Sequence, residues 1–338
     1  MLFAGFKVII AAEGDQKILL QQEFPTLEIV HLPGYKLKYS VNKTLTILKI
    51  FFQIPKILIA INREKRWLRS FLRANKVSVV IADNRFGLHN KDVISIFVTH
   101  QLHINSLLGK WADAIVQSLN YSYINQFDYC WVPDAAGEIN LAGNLSHPAK
   151  KPNCPVEYIG VLSRIKQISV VKKQTLLILL SGPEPQRSIL DKVLMEQLTK
   201  HHLQSIVVCG LPGIDKSENA LPGITRHSHL PAHAIEALIN EAEIIVCRSG
   251  YSTLMDILPL GKKCIVIPTP GQGEQEYLAN LLSEKGYACA AQQENVDLPI
   301  LIEKAKMLQL PNLASLKNDQ KLETLITALQ TELNQTLA

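Results

Sequence analysis

The chain has 338 residues, 47% of them apolar and 19% charged, with a formal net charge of +5. That length exceeds what one hydrophobic core usually serves, so two domains are expected, and the composition excludes a disordered or fibrous chain. The modest positive balance admits an anionic ligand or an acidic membrane surface without demanding either, and nucleic acid is not expected as a partner.

The opening "MLFAGFKVII" reads as the end of a helix, with Gly5 where a C-terminal glycine belongs, followed by a strand over 6–12. A Rossmann-like domain should carry a strand and a ligand-facing loop before such a helix, so the N-terminal domain is expected to lack its first strand–loop unit. A second strand is expected at 27–32. The stretch 44–61, "TLTILKIFFQIPKILIAI", is long enough to consider as a membrane span, but Lys49, Gln53, Pro55 and Lys56 interrupt it. It reads as a crossover helix with a broad apolar face. Arg63, Lys65, Arg66 and Arg69 follow it, a cluster suited to peripheral contact with anionic headgroups over 45–69. Strands are then expected at 77–83, 94–100 and 129–133.

A Pro-, Lys- and Asn-rich break at 143–155 and a short strand at 156–164 mark the link. The alternation then restarts. Strands are expected at 175–181, 205–210, 243–248 and 264–268, and helices at 186–202, 231–241, 274–285 and 313–333. Strands apolar on both faces suit parallel sheets covered by helices. The expected architecture is α/β, two Rossmann-like domains facing a cleft, at 1–160 and 161–338. Cys130, Cys154, Cys209, Cys247, Cys264 and Cys289 fall mostly in apolar runs without a CxxC pair. Buried reduced thiols in a cytoplasmic protein are therefore expected, rather than a disulfide frame or a zinc site. No secretory leader is apparent in the opening residues.

Three loops of the second half end strands in anion-suited residues. In "LLSGPEPQRS", Ser181 and Gly182 turn the chain, and Arg187 enters the next helix early enough for a bidentate phosphate contact. In "VCRSGYSTLMDILPLGKKCIVIP", Arg248, Ser249, Gly250 and Thr253 lie at the end of a buried strand. Asp256 there reads equally as a capping-box carboxylate after Thr253 or as an acceptor for two ribose hydroxyls. In "IPTPGQGEQEYLANLL", Gln275 and Glu276 open a helix, where they suit its dipole or could hydrogen-bond sugar hydroxyls. In the first half, "ADNRFG" and "VTHQL" place Asp83, Arg85, His100 and Gln101 at strand ends. They are candidates for acceptor binding or proton transfer, with His100 the candidate base. His31, His103, His227 and His229 have weaker claims.

The stretch "CRSGYSTLMDILPLGKKCIVIPTPGQGEQEYLANLL" resembles the donor-binding region of the inverting GT-B glycosyltransferases of family 28, the MurG-like group, and "SGPEPQR" and "DNRFGLHNKDVISIFVTHQL" resemble an uncharacterised bacterial branch of it. The resemblance implies a nucleotide-diphosphate sugar donor, a UDP-sugar with an N-acetylhexosamine among the candidates, held by the second domain. It sets Ser249 and Gly250 at the diphosphate, Asp256 at the ribose, Gln275 and Glu276 at the sugar and Leu230 at the base, while Ser181, Gly182 and Arg187 correspond to the family's Gly-rich loop. It also implies a hydroxyl acceptor, lipid-linked in relatives, at the inner face of the membrane. One glycine in that loop where relatives have several, Asp256 for Glu and Glu276 for a second Gln depart from the pattern. No cofactor or metal is expected, since no DxD-like pair stands beside the loops. A UDP-sugar 2-epimerase and a non-catalytic nucleotide-sugar-binding protein share the same two-domain design and remain alternatives.

Overall fold

The computed structural model describes residues 1–34, 43–104, 110–171, 175–211 and 217–337. The chain divides into two compact units. The first is built from residues 1–34, 52–162 and 316–337, and the second chiefly from Ser163–Ser315. The expected boundary at 160/161 thus falls beside the observed one.

In the first unit, a 3-10 turn over Leu2–Ala4 is closed by Gly5 in the left-handed region, φ 76°, whose N–H donates to the Leu2 carbonyl. Strand β1 (Ile9–Ala12), helix α1 (Gly14–Glu23) and strand β2 (Glu28–His31) follow, with β1 and β2 paired in parallel. Helix α2 (Lys43–Ala74) contains Pro55. Its Ile61, Glu64 and Leu68 are buried at helical spacing, whereas Arg63, Arg66, Arg69 and Arg73 are exposed. Side chains 43–54, which include the first ten residues of the expected membrane-docking stretch 45–69, lie outside the described residues. Among the described residues no helix is long and apolar enough to cross a membrane.

Strands β3 (Val79–Asp83), β4 (Ile94–Val98), β5 (Tyr129–Val132) and β6 (Val156–Tyr158) form a second parallel sheet in that order, with helix α3 (Lys110–Ile124) between β4 and β5. Among the described residues no ladder joins β1 to β3. Side chains join the two sheets instead: Ala11 and Leu32 pack in one cluster with Leu68, Val80, Ala82 and Phe97.

The second unit holds one seven-stranded sheet. In chain order its elements are β7 (Leu176–Leu179), α4 (Gln186–Lys200), β8 (Ser205–Val208), β9 (Ser217–Leu221), β10 (Ile224–His227), α5 (Ala232–Glu241), β11 (Ile244–Cys247), α6 (Tyr251–Ile257), β12 (Lys263–Val266), α7 (Gly273–Glu284), β13 (Cys289–Ala290) and α8 (Leu298–Lys306). The strand order is β13-β12-β11-β7-β8-β10-β9, with only β9–β10 antiparallel. Every residue of β11 is buried, as a strand covered by helices on both faces requires. Leu190, Leu194 and Leu198 of α4 meet Leu298, Leu301 and Ala305 of α8 in the core below. All six cysteines are buried and none forms a disulfide.

The C-terminal helix α9 (Asp319–Leu337) corrects the expected domain limits. Although 161–338 was expected as one domain, Leu322, Leu325, Ile326 and Leu329 of α9 pack on Ile96 and Trp131 of the first unit and on Met1, Ala4 and Phe6. Tyr129 donates to Glu332 at 3.2 Å and Lys321 pairs with Glu157 at 2.8 Å. An apolar stripe at helical spacing needs a partner face, and the β4–β5 face supplies it.

Candidate functional site

Strands β12, β11 and β7 lie side by side in parallel, so the loops after them open at one edge of the sheet. After β7, Ser181 is exposed and Gly182 takes φ 100°, a conformation that L side chains rarely adopt. After β11, the Ser249 side chain is buried and its hydroxyl donates to the Gln275 carbonyl at 2.7 Å. Gly250 that follows has an ordinary φ of −75°, and a side chain there would meet no protein atom within 4 Å. Neither conformation nor packing asks for glycine at this point. What the glycine leaves is bare backbone, open to close approach.

After β12 comes Thr269, which sequence reasoning missed. It is 1% exposed, and its buried Oγ1 has no hydrogen-bond partner. That hydroxyl would lie 3.7 Å from a Cβ at Gly182, so the β7 and β12 loops adjoin there. The Thr269 N–H donates to Oε1 of Gln275 at 2.9 Å, and the Gly271 N–H to Oε1 of Glu276 at 3.0 Å. Gln275 and Glu276 therefore fix the loop before α7, besides opening the helix as expected. Leu230, half-buried, follows β10, two strands beyond β7 at the same edge of the sheet.

Three expected ligand contacts are differently engaged. Arg187 donates to the carbonyls of Cys209 at 3.0 Å and Gly210 at 3.3 Å, and its Nε to Glu184 at 3.0 Å. It ties the β7 turn to the end of β8, and its hydrogen bond holds the Glu184 carboxyl below the usual range. Arg248 points inward. Its guanidinium donates to the carbonyls of Pro268 at 3.0 Å, Ile267 at 3.3 Å and Gln186 at 2.8 Å, and to Oε1 of Gln293 at 2.6 Å.

Asp256 caps nothing: α6 begins at Tyr251 after Gly250, with no side-chain cap, and Thr253 lies within the helix. The Asp256 carboxylate accepts from the Ser163 hydroxyl at 3.2 Å, the Arg164 N–H at 3.1 Å and Arg164 Nε at 3.3 Å. Burial pushes its titration up, against the pull of the Arg164 charge. Its partners stand 92 and 93 residues away in sequence, beyond the reach of any local pattern.

In the first unit, Asp83 and Val98 are register partners on β3 and β4, which brings Asp83, His100 and Gln101 to one edge. Asp83 keeps an exposed surface, yet desolvation by its surroundings raises its titration, an effect that the His100 charge opposes. The Gln101 N–H donates to Thr99 Oγ1 at 3.0 Å. Arg85 turns away from this group. Its Nε pairs with buried Glu64 at 2.5 Å and its Nη2 donates to the Pro33 carbonyl at 2.6 Å.

The profile of the Glycosyltransferase family 28 C-terminal domain matches residues 187–332. A UDP-N-acetylglucosamine--N-acetylmuramyl-(pentapeptide) pyrophosphoryl-undecaprenol N-acetylglucosamine transferase of Clostridium perfringens (strain SM101 / Type A) is 26% identical over 129 residues, 37% of this chain and 34% of the relative. The chain thus aligns with about a third of that relative's length. Among solved structures, the glycotransferase of kitacinnamycin superposes over 99% of this chain and 92% of its own, with a TM-score of 0.64 at 13% identity. Arabidopsis thaliana UGT89C1 complexed with UDP-L-rhamnose covers 97% and 92%, with a TM-score of 0.61 at 12% identity. Residues 187–332 are thus similar to the Glycosyltransferase family 28 C-terminal domain, and the chain shares the two-unit GT-B fold of the solved glycosyltransferases.

Proposed function

We propose that the chain is an inverting glycosyltransferase whose second unit holds a nucleoside-diphosphate sugar, a UDP-sugar. The observation that carries this reading is the trio at one sheet edge: Gly182 in a left-handed turn, Gly250 with bare backbone, and Thr269 with a buried hydroxyl lacking a partner. Glycines let a ligand approach the main chain after β7 and after β11. Leu230 sits where it can border the base, and Gln275 and Glu276 where they can meet the sugar. The names of the curated relatives support a UDP-N-acetylhexosamine donor and a lipid-linked hydroxyl acceptor.

In the reaction, an acceptor hydroxyl attacks the anomeric carbon as the bond from that carbon to the diphosphate oxygen breaks. The hydroxyl proton needs a base, and His100, whose charge acts on Asp83, is the candidate for that role. The negative charge that grows on the leaving diphosphate meets dipoles already in place, the form of stabilisation that contributes most in such sites. Exposed Leu58 and Ile59 precede exposed Arg63, Arg66, Arg69 and Arg73 on α2, an apolar and basic stripe suited to an anionic membrane that carries the acceptor.

The test is a thermal-shift panel of UDP, UDP-N-acetylglucosamine, UDP-glucose, ADP and GDP, followed by product analysis. A ligand at 100 times its Kd should add about 2.7 kcal/mol of stability. Stabilisation by uridine compounds and a new glycoside are expected. Stabilisation with an epimerised sugar would assign the chain to epimerisation instead, and no nucleotide effect would overturn the donor site. Sedimentation with anionic vesicles at low salt tests the α2 stripe, and its failure would leave the donor site standing.

A further inference from the structure

Arg248 is 1% exposed and all of its hydrogen-bond acceptors are neutral: the carbonyls of Gln186, Ile267 and Pro268 and the amide oxygen of Gln293. Its Nε is buried without a partner. Gln293 also donates to Oε1 of Gln186 at 3.1 Å, closing a network from the start of α4 to the end of β12. Exposed Glu294 acts on the guanidinium through its charge, while burial lowers the arginine's own titration to about 10. The group remains a cation at neutral pH.

A buried charge without a bonded counter-charge is costly, and natural proteins place one where something balances it. Here the charge sits among the loops after β7, β11 and β12. Ser249 and Gly250 follow it directly in the chain. The carbonyl of Pro268, which it binds, precedes Thr269 and its partnerless hydroxyl. At such a place a fixed cation acts through protein of low polarizability and is weakly screened by salt.

Resting on the donor-site reading, we propose that Arg248 is a positioning residue that makes the site select for diphosphate: it holds three loops together and biases them electrostatically toward an anion without touching it. The contribution grows with ligand charge and vanishes for an uncharged nucleoside.

The experiment measures affinities of uridine, UMP, UDP and inorganic pyrophosphate for the full chain, its Arg248→Met variant and its Arg248→Lys variant. In Arg248→Met, UDP and pyrophosphate should weaken by about tenfold or more while uridine stays within about twofold. Arg248→Lys, which keeps the charge and loses the fork, should retain the preference for UDP over uridine at a lower melting temperature. Equal losses for uridine and UDP in Arg248→Met would overturn the proposal, and so would an unchanged UDP affinity. If Arg248→Met fails to fold, Arg248→Lys decides: a preserved UDP-to-uridine ratio supports the proposal, and a collapsed ratio overturns it. A wild-type chain that binds neither UDP nor pyrophosphate would instead remove the donor-site reading itself.

Discussion

The two units solve the same architectural problem with different bonds. In the second, one ladder runs unbroken from β13 to β9, and its strand β11 is buried throughout. In the first, no ladder joins β1 to β3 among the described residues, and side chains of the two sheets pack in one cluster. Ile178, third in β7, is 1% exposed; Ile81, third in β3, is 40% exposed. Backbone hydrogen bonds satisfy groups that would otherwise be costly to bury, so a ladder can be dry on both faces. A sheet joined only by side chains leaves strand edges that must stay partly solvated. The loops proposed to hold the donor are mounted on the unbroken sheet, and the proposed base His100 on the broken one. On the proposed function, the contrast separates donor binding, assigned to the unit with the unbroken sheet, from proton transfer, assigned to the other.

The largest expected effect tests this directly with one residue type. Ile178→Ala should cost about 3–4 kcal/mol, because a fully buried side chain is lost and a cavity remains. Ile81→Ala should cost less than about 1 kcal/mol, because its side chain already meets water. Urea unfolding separates the units, since Trp67, Trp111 and Trp131 are the chain's only tryptophans and all lie in the first. Ile178→Ala should move the far-UV transition and leave tryptophan fluorescence nearly unchanged. Equal costs for the two variants would break the comparison.

A second effect comes from the polar joint that helps hold the broken sheet. Glu64 is 1% exposed, accepts the Gly87 N–H at 2.9 Å and pairs with Arg85, which also reaches the Pro33 carbonyl after β2. Removing one partner of a buried pair strands the other, so Glu64→Ala should destabilise the first unit by about 3 kcal/mol. The tryptophan transition should shift while UDP affinity stays at the wild-type value. Weakened UDP binding in this variant would show that the units do not divide the work as described.

A smaller effect depends on pH. His89, in the first unit, titrates below its ordinary value of 6.5, first because it is buried and then because Lys65 and Arg69 are near; Gln126 and Asp128 pull the other way. Below pH 6.5 the unfolded chain binds this proton more readily than the folded one. The stabilising contribution is therefore present above that pH and lost as pH falls through the folded value. The urea midpoint by tryptophan fluorescence should drop between pH 7.5 and 5.5, and His89→Asn should flatten that slope. A slope unchanged by the substitution would assign it to other groups.

How much of this was legible in the sequence follows from the range of each interaction. Strands, crossover helices and the loops after β7, β11 and β12 could be read, because apolar runs and the glycines after them are local signals. The β9–β10 hairpin was missed although "LPGI" marks its turn. The helix of the tail was legible, but its docking on β4 and β5 was not, since an apolar stripe does not name its partner face. Arg187, Arg248 and Asp256 have the residue types that bind nucleotides. Whether such a side chain points at a ligand or at a carbonyl 20 or 62 residues away depends on packing that no local window contains.

Thr269 gives the smallest effect and the one with opposite signs for stability and binding. Its Oγ1 is buried beside Gly182 without a hydrogen-bond partner, so the folded chain leaves one polar group desolvated. Thr269→Val keeps the shape and removes that group, so it should leave stability unchanged or raise it by less than about 1 kcal/mol. If the hydroxyl serves the donor, the same change should weaken UDP binding by about tenfold, the worth of one hydrogen bond to a charged group. Thermal melting of the free protein and UDP titration of the same sample measure both. A variant that is less stable and binds UDP as before would make Thr269 a packing residue and move the edge of the donor site away from the β12 loop.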